Sequence, residues 1–447
     1  MQNANSQTEK NQPTTNDFLK IIKNIGWLTF GKLFGMSTGL FVSVWVARYL
    51  GPASLGLLAY ALSFVALFSF ISVLGLEQIV VRELVKSPQK KDVILGTAFI
   101  LRIAGGIISF LIAMGGIVVF GPDNLELILY VAIIAFGNIL QAFDVIDTFF
   151  QYRILSRYSV VAKNTAFIIV SILKIYFILN KCPLLHFVWA AVFEIFFSSC
   201  LLVIAYRICH NRIRQWKFDF TVAKALFLDA WPLMSGIFFV SIYMRIDQIM
   251  IGNYLDSSAL GIYSVAVYLS QAWYFFPIAI VKSVFPYLIE LREKDNLRYQ
   301  AQLQRMYSLM FWMGAVAGIF FTLFGKSVIV ILYGSAYAGS YPALMINIWS
   351  GMFVAQSVAR GIWIVAENLQ RFRLIIQIVV AVGNVLGNMY LIPLMGIKGA
   401  ALATLLSQAL GTWGITLLIR PLRASTLSMI RSINPMYIFL SRRQERM

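Results

Sequence analysis

The chain is 447 residues long, 60% hydrophobic and 15% aromatic, with only 13% of its residues charged and a mean hydropathy of +0.78. A soluble core does not need that apolar share, so composition excludes an ordinary soluble domain and implies an all-α integral membrane protein. The formal net charge of +18 does not signal nucleic-acid binding, because the basic residues are distributed by loop and form no single patch.

A membrane-spanning helix needs roughly 20 mostly apolar residues. About twelve such runs follow one another, near 25–49, 54–76, 94–120, 125–150, 160–180, 185–206, 230–253, 258–289, 304–325, 341–366, 372–393 and 397–419. Residues 1–16 are polar and lack the basic-then-apolar layout and small-residue cleavage site of a signal peptide. Residues 1–24 therefore read as a cytoplasmic arm. Lys10, Lys20 and Lys23 precede the first span, Arg82, Lys86, Lys90 and Lys91 follow the second, and Arg153 and Arg157 follow the fourth. Arg207, Arg212, Arg214 and Lys217 follow the sixth, Arg292, Lys294 and Arg298 the eighth, and Arg371 and Arg373 the tenth. Arg420, Arg423, Arg431, Arg442, Arg443 and Arg446 make the tail basic, while the intervening connections hold little beyond Lys181, Lys326 and Lys398. The positive-inside rule then predicts two cytoplasmic termini and an even number of spans. The expected organisation is an N-lobe over 25–206, a cytoplasmic inter-lobe linker over 207–229, a C-lobe over 230–419 and a basic cytoplasmic tail over 420–447.

Function classes narrow in the same way. Every connection is too short to fold as a soluble catalytic domain, which argues against an enzyme. No GxxxxGK[ST] loop is present to cradle a nucleotide. Cys182, Cys200 and Cys209 have no CxxC spacing, and the only histidines are His186 and His210. No disulfide, metal or cofactor is expected.

The two lobes are suggested by an internal repeat. Tyr49-Leu50-Gly51-Pro52-Ala53-Ser54-Leu55-Gly56 and Tyr254-Leu255-Asp256-Ser257-Ser258-Ala259-Leu260-Gly261 align without a gap at an offset of 205, each joining two apolar runs. Transporters are commonly built from such repeated halves around a central pathway. The motifs Ala47-Arg48-Tyr49-Leu50-Gly51-Pro52 with Leu55-Gly56, and Met244-Arg245-Ile246-Asp247-Gln248-Ile249-Met250-Ile251-Gly252 with Leu260-Gly261-Ile262-Tyr263-Ser264, carry a resemblance. Leu332-Tyr333-Gly334-Ser335-Ala336-Tyr337 and the segment 392–403 complete it. Over almost its whole length the chain resembles the polysaccharide transporters of the multidrug/oligosaccharidyl-lipid/polysaccharide exporter superfamily, the group containing Wzx-type O-antigen flippases. The resemblance implies a MATE-like fold of two six-helix lobes around a cavity that opens alternately to either side. It also implies a bacterial inner or plasma membrane location and a polyprenyl-pyrophosphate-linked oligosaccharide as cargo, moved to the outer leaflet for O-antigen, capsule or exopolysaccharide synthesis. Entry between the first and eighth spans, and work beside a polymerase and a chain-length regulator, follow from the same likeness.

Such a cargo needs a wet, positive path, and ionisable residues inside spans are costly enough to face a cavity or a partner. Arg245 and Asp247 lie two residues apart in the seventh span, on nearly opposite sides of the helix; either could face the cavity, or each could be held by another helix. Gln356, Arg360, Trp363 and Glu367 line one face of the tenth span, offering Arg360 to phosphate and Trp363 to a sugar ring or prenyl chain, with Glu367 at the cytoplasmic mouth. Lys282 in the eighth span could reach the cargo or snorkel to the interface. Arg102 in the third span and Lys174 in the fifth could contact the pyrophosphate or neutralise neighbouring acids. Asp144 and Asp147 share a face of the fourth span with Gln141 and Gln151. With Glu194 in the sixth and Asp247, they are candidates for coupling to H+ or Na+, and nothing in the sequence ranks them. Asn384 and Asn388 form a polar stripe suited to interhelical hydrogen bonds. Arg48, with Gly51, Pro52, Gly56 and Gly261, is a gate or structural motif. Two other classes compete: a small-cation or drug extruder of the same superfamily, for which an acidic cavity without Arg245 and Arg360 is expected, and a membrane polymerase or ligase, for which a large outer loop with Arg and His is expected.

Overall fold

Apolar runs that cross a bilayer can satisfy their backbone only as helices or closed barrels, and this chain takes the helical solution throughout its described residues. The structure, a computed structural model, describes residues 15–121 and 123–439. Residues 1–14 of the expected arm, and Arg442, Arg443 and Arg446 of the tail, lie outside the described residues. Among those described, ten helices are long and apolar enough to cross a membrane, or up to eleven with the pair Ser335–Asn347 and Ser350–Ala366, bent by 46°. The first of them, Thr38–Lys86, begins in α1 (Thr15–Val73), which is broken at Gly51 (φ 71°, ψ 173°). Only glycine takes that conformation without strain. Pro52 opens the next arm, where a missing N–H costs nothing, and the break divides the first expected span from the second.

Two compact units emerge. The first holds Met1–Val46, Ser69–Gly115 and Ala132–Met234; the second holds Ala47–Phe68, Gly116–Val131 and Ser235–Met447. In the first unit lie α2 (Leu76–Lys86), most of α3 (Lys91–Phe120) and of α4 (Leu125–Leu140), α5 (Val145–Tyr152), α6 (Ser156–Leu179), α7 (Leu184–Ile208) and the start of α8 (Phe220–Tyr254). Its core packs Leu84, Leu95, Ile146, Phe150, Leu202 and Tyr206, all fully buried. The expected linker is docked on this core. Trp216 donates to the Tyr206 hydroxyl at 3.1 Å, Lys217 N–H to the Asp92 carbonyl at 3.1 Å, and Lys91 Nζ to Asn211 at 2.8 Å. Asp219 accepts from Val222 N–H at 3.0 Å, an N-cap that starts α8 about ten residues before the seventh span was expected to begin.

The second unit holds α9 (Ser257–Ala272), α10 (Phe275–Lys294), α11 (Asn296–Tyr333), α12 (Tyr341–Asn347), α13 (Ser350–Ala366), α14 (Gln370–Met395), α15 (Ile397–Ala409), α16 (Ile415–Leu418), α17 (Arg420–Arg431) and α18 (Met436–Phe439). The first part of the expected tail is the amphipathic α17, buried through Leu422, Ser425, Thr426 and Met429. The two halves reuse one turn. After α5 and after α13 the chain leaves the helix through a residue at positive φ, Ile154 (55°) and Asn368 (54°). The next N–H returns to the helix, Leu155 to Phe150 O at 2.8 Å and Leu369 to Ile364 O at 2.9 Å. This closure satisfies the last carbonyls within a few residues and accounts for the short connections.

Candidate functional site

In the first unit, the 3₁₀ turn Gln141–Asp144 joins α4 to α5 and places two carboxylates, three residues apart, beside α6. Lys163 of α6 bridges them, with Nζ 2.7 Å from Asp147 and 3.2 Å from Asp144. These groups line a cavity of about 190 Å³ together with Ser72, Glu77, Arg102, Gln141 and Thr148. Glu77 accepts from Gln151 Nε2 at 2.7 Å. Arg102 is only 5% exposed, and its buried Nε has no hydrogen-bond partner. The three cavity carboxylates lie within its electrostatic range, and none forms an ion pair with it among the described residues. Farther along α6, Lys174 faces Glu194 at 3.6 Å.

In the second unit, buried polar groups are paired within the packed helices. Asp247 of α8 is 4% exposed, receives the Tyr263 hydroxyl at 2.5 Å and the Gln248 N–H at 2.8 Å, and has no ion pair among the described residues. Thr404 accepts from Asn384 Nδ2 at 3.3 Å. Asn388 donates to Asn384 Oδ1 at 3.1 Å, leaving the buried Asn388 Oδ1 without a partner. Ser63 donates to Gln248 Oε1 at 2.8 Å.

The polar face of the tenth expected span is covered by the end of the chain. Arg360, 2% exposed, gives its Nη2 to the Thr412 carbonyl and approaches Thr426 at 3.5 Å. Thr412 lies in the π-turn Leu410–Gly414, where the wider ring loosens the usual carbonyl pairing. Gln356 bonds Ser432 at 2.8 Å and the Met429 carbonyl at 3.2 Å, while Trp413 donates to it at 2.9 Å. Trp363 is buried as well. Glu367 forms a two-point ion pair with Arg292, at 2.8 and 3.1 Å. By contrast, Arg245 is half-buried and Lys282 exposed, and neither has an ion pair among the described residues. Arg48 caps α11, giving Nε to the Leu332 carbonyl at 2.6 Å and Nη2 to that of Ile331.

Of the residues marked in the sequence, the structure joins Asp144, Asp147 and Arg102 in one cavity and Asn384 with Asn388 in one hydrogen-bonded pair, while Asp247 is held by Tyr263 and its own helix. It sets Lys174 with Glu194 apart from both, and Arg360 with Gln356 in the packed interior. Sequence reasoning passed over Lys163, Glu77 and Thr404, and took Tyr263 only as part of a motif. Lys163 carried a signal, a charge at the start of an apolar run; the Thr404 hydroxyl carried none.

The family model described as "Polysaccharide biosynthesis protein" matches residues 21–292, more than half of the chain. The "Probable flippase AglR" of Haloferax volcanii is 29% identical over 177 residues, covering 38% of this chain and 36% of its own length, so the chain spans about a third of that relative. The fold is similar to that of an inward-facing multidrug resistance MATE family transporter of the MOP superfamily (TM-score 0.67, 14% identity, 90% of this chain and 98% of that one). It is also similar to the lipid II flippase MurJ in an inward closed conformation (TM-score 0.63, 17% identity, 91% of each chain). The chain therefore belongs to the polysaccharide biosynthesis protein family, as an all-helical, multi-pass membrane protein.

Proposed function

We propose that this protein is a flippase that moves polyprenyl-pyrophosphate-linked oligosaccharide units from the cytoplasmic to the outer leaflet by alternating access, without enzymatic chemistry. The observation that carries the reading is a set of charged groups kept inside apolar helices with no ion-pair partner among the described residues: Arg102, Arg245 and Asp247. Such residues mark a path for polar cargo or ions. The family membership and the similarity to a probable flippase support it. In the second unit, the candidate cations Arg245 and Lys282 have no ion pair among the described residues and can meet a pyrophosphate. A guanidinium stays charged and offers a planar fork of donors to phosphate oxygens, and Arg360 would contribute only if α17 withdrew. Unpaired cations also weigh against a cation extruder. Binding energy alone shifts an equilibrium and cannot drive net flux, so outward transport draws on consumption of the flipped cargo by a polymerase, on an H+ or Na+ gradient, or on both. For the gradient, Asp247 is the favoured carboxylate, since Asp144, Asp147 and Glu194 each face a lysine.

Deletion of the gene in its host tests the reading. The expected result is accumulation of complete lipid-linked units on the cytoplasmic leaflet, with loss of surface glycan restored by the intact gene. Units that reach the outer leaflet but stay unpolymerised would assign a polymerase role instead.

A further inference from the structure

The cavity of the first unit has a composition that selects among the parts of such a cargo. It gathers three carboxylates, Glu77, Asp144 and Asp147, and two cations, Arg102 and Lys163, with Gln141, Ser72 and Thr148 between them. The carboxylates outnumber the cations, so a dianionic pyrophosphate would be repelled from it. A metal ion fits no better, because Lys163 already occupies Asp144 and Asp147 and, among the described residues, no three His, Cys, Asp or Glu side chains are grouped to hold one. What its unpaired charged groups call for is a neutral guest that both accepts and donates. The buried Arg102 Nε–H needs an acceptor. Glu77 has lone pairs left after its single bond from Gln151. Sugar hydroxyls supply both functions on one small ring, and they leave the Lys163 bridge intact.

We propose that this cavity is a saccharide subsite, in which Arg102 donates to, and Glu77 accepts from, hydroxyls of a neutral hexose or N-acetylhexosamine. The proposal rests on the flippase reading for its cargo and assigns the sugar, not the pyrophosphate, to the first unit. An unpartnered guanidinium that is nineteen-twentieths buried and lines a polar cavity separates this site from an ordinary structural ion-pair cluster. In such a cluster every charged group has found its counterion, as Lys163 has here.

The test uses the full chain in lipid nanodiscs. Methyl glycosides of glucose, galactose and N-acetylglucosamine are titrated by saturation-transfer difference NMR, and inorganic pyrophosphate by phosphorus line width. At least one glycoside should bind, and Arg102→Gln and Glu77→Gln should each weaken it about tenfold or more, as loss of a hydrogen bond to a charged group does. Glu77 is exposed, so its variant keeps the test decisive where the buried Arg102→Gln fails to fold. Absence of glycoside binding, binding unchanged in both variants, or pyrophosphate binding that Arg102→Gln abolishes would each overturn the subsite. Restoration of surface glycan by the same chains is read in parallel. A chain that restores glycan yet binds no glycoside loses the subsite and keeps the flippase reading; one that binds glycosides but restores nothing does the reverse.

Discussion

A carboxylate inside a bilayer must be neutralised, solvated or protonated, and the four candidate acids of this chain meet that demand differently. Asp144 and Asp147 share the ammonium of Lys163, and Glu194 faces Lys174. Asp247 has only neutral donors: the Tyr263 hydroxyl and one backbone N–H. Replacing the carboxylate by the isosteric amide removes an uncompensated buried charge at little cost, because the remaining oxygen still accepts from the Gln248 N–H and the Tyr263 hydroxyl can turn from donor to acceptor of the new amide N–H. Asp247→Asn should therefore leave thermal stability unchanged or raised, while abolishing the stimulation of flipping by an imposed sodium or proton gradient in proteoliposomes. Asp144→Asn and Asp147→Asn should keep that stimulation. A gradient response that survives in Asp247→Asn would place coupling elsewhere. The candidate acids were legible in the sequence because charge inside an apolar run stands out. Tyr263 and Thr404 were not, since a hydroxyl in a helix can bond its own backbone at little cost and gives no sign of serving a neighbour. Helical spacing likewise puts Gln356, Arg360 and Trp363 on one face but cannot say what covers it; α17, from the far end of the chain, does.

The element that organises the second unit is the crossing of the two repeat copies. A Cβ placed on Gly56 would overlap the Ser257 carbonyl and lie 2.9 Å from Gly261 N, and one placed on Gly261 would overlap the Pro52 carbonyl and lie 3.0 Å from Gly56 N. Gly56 and Gly261, like Pro52 and Ser257, are equivalent at the 205-residue offset, so the helices following each repeat meet at matching positions, backbone against backbone. Small residues are what permit such approach. Around the crossing, the Tyr337 hydroxyl reaches the Ala47 carbonyl at 2.7 Å and Tyr60 bonds Asn253 at 2.8 Å. Because the atoms met are backbone, a methyl group forces the helices apart. Gly56→Ala and Gly261→Ala should each destabilise the protein by about 1–3 kcal/mol, the range of overpacking. Gly361→Ala, on a helix position with open space around it, should stabilise by roughly 0.5–1 kcal/mol through backbone entropy. Melting of the three purified variants checks the opposite signs; equal shifts would remove the crossing as the cause. The repeat itself was visible in the sequence, as a pattern of glycines. That its two copies touch each other was not, because an offset along the chain carries no distance across it.

At the scale of the whole molecule, the charge pattern and the helix count make one joint claim. Basic residues recur at every second connection, which requires each apolar run between them to cross the membrane. Among the described residues, ten helices are long and apolar enough to cross, and one of these ten is divided at Gly51. The segment that decides the matter is the bent pair from Ser335 to Ala366, since Ser350 and Asn347 bond across its break at 2.6 Å and a helix bent by 46° can cross the bilayer or fold back within it. If it returned to the side it entered from, Arg371 and Arg373 would lie outside, and every later connection would exchange sides. Two native cysteines provide the reference: Cys182 follows the fifth expected span and Cys209 the sixth, both partly exposed. An impermeant maleimide applied to intact cells should label Cys182 and spare Cys209. In a background without native cysteines, Ser335→Cys should label and Gln370→Cys should stay protected until the membrane is opened. Labelling of both from outside would make the bent pair re-entrant, leave an odd number of crossings and separate the two termini across the membrane. Labelling of the first alone would make the pair a true span, so that both ends of the chain share the face that carries its positive charge.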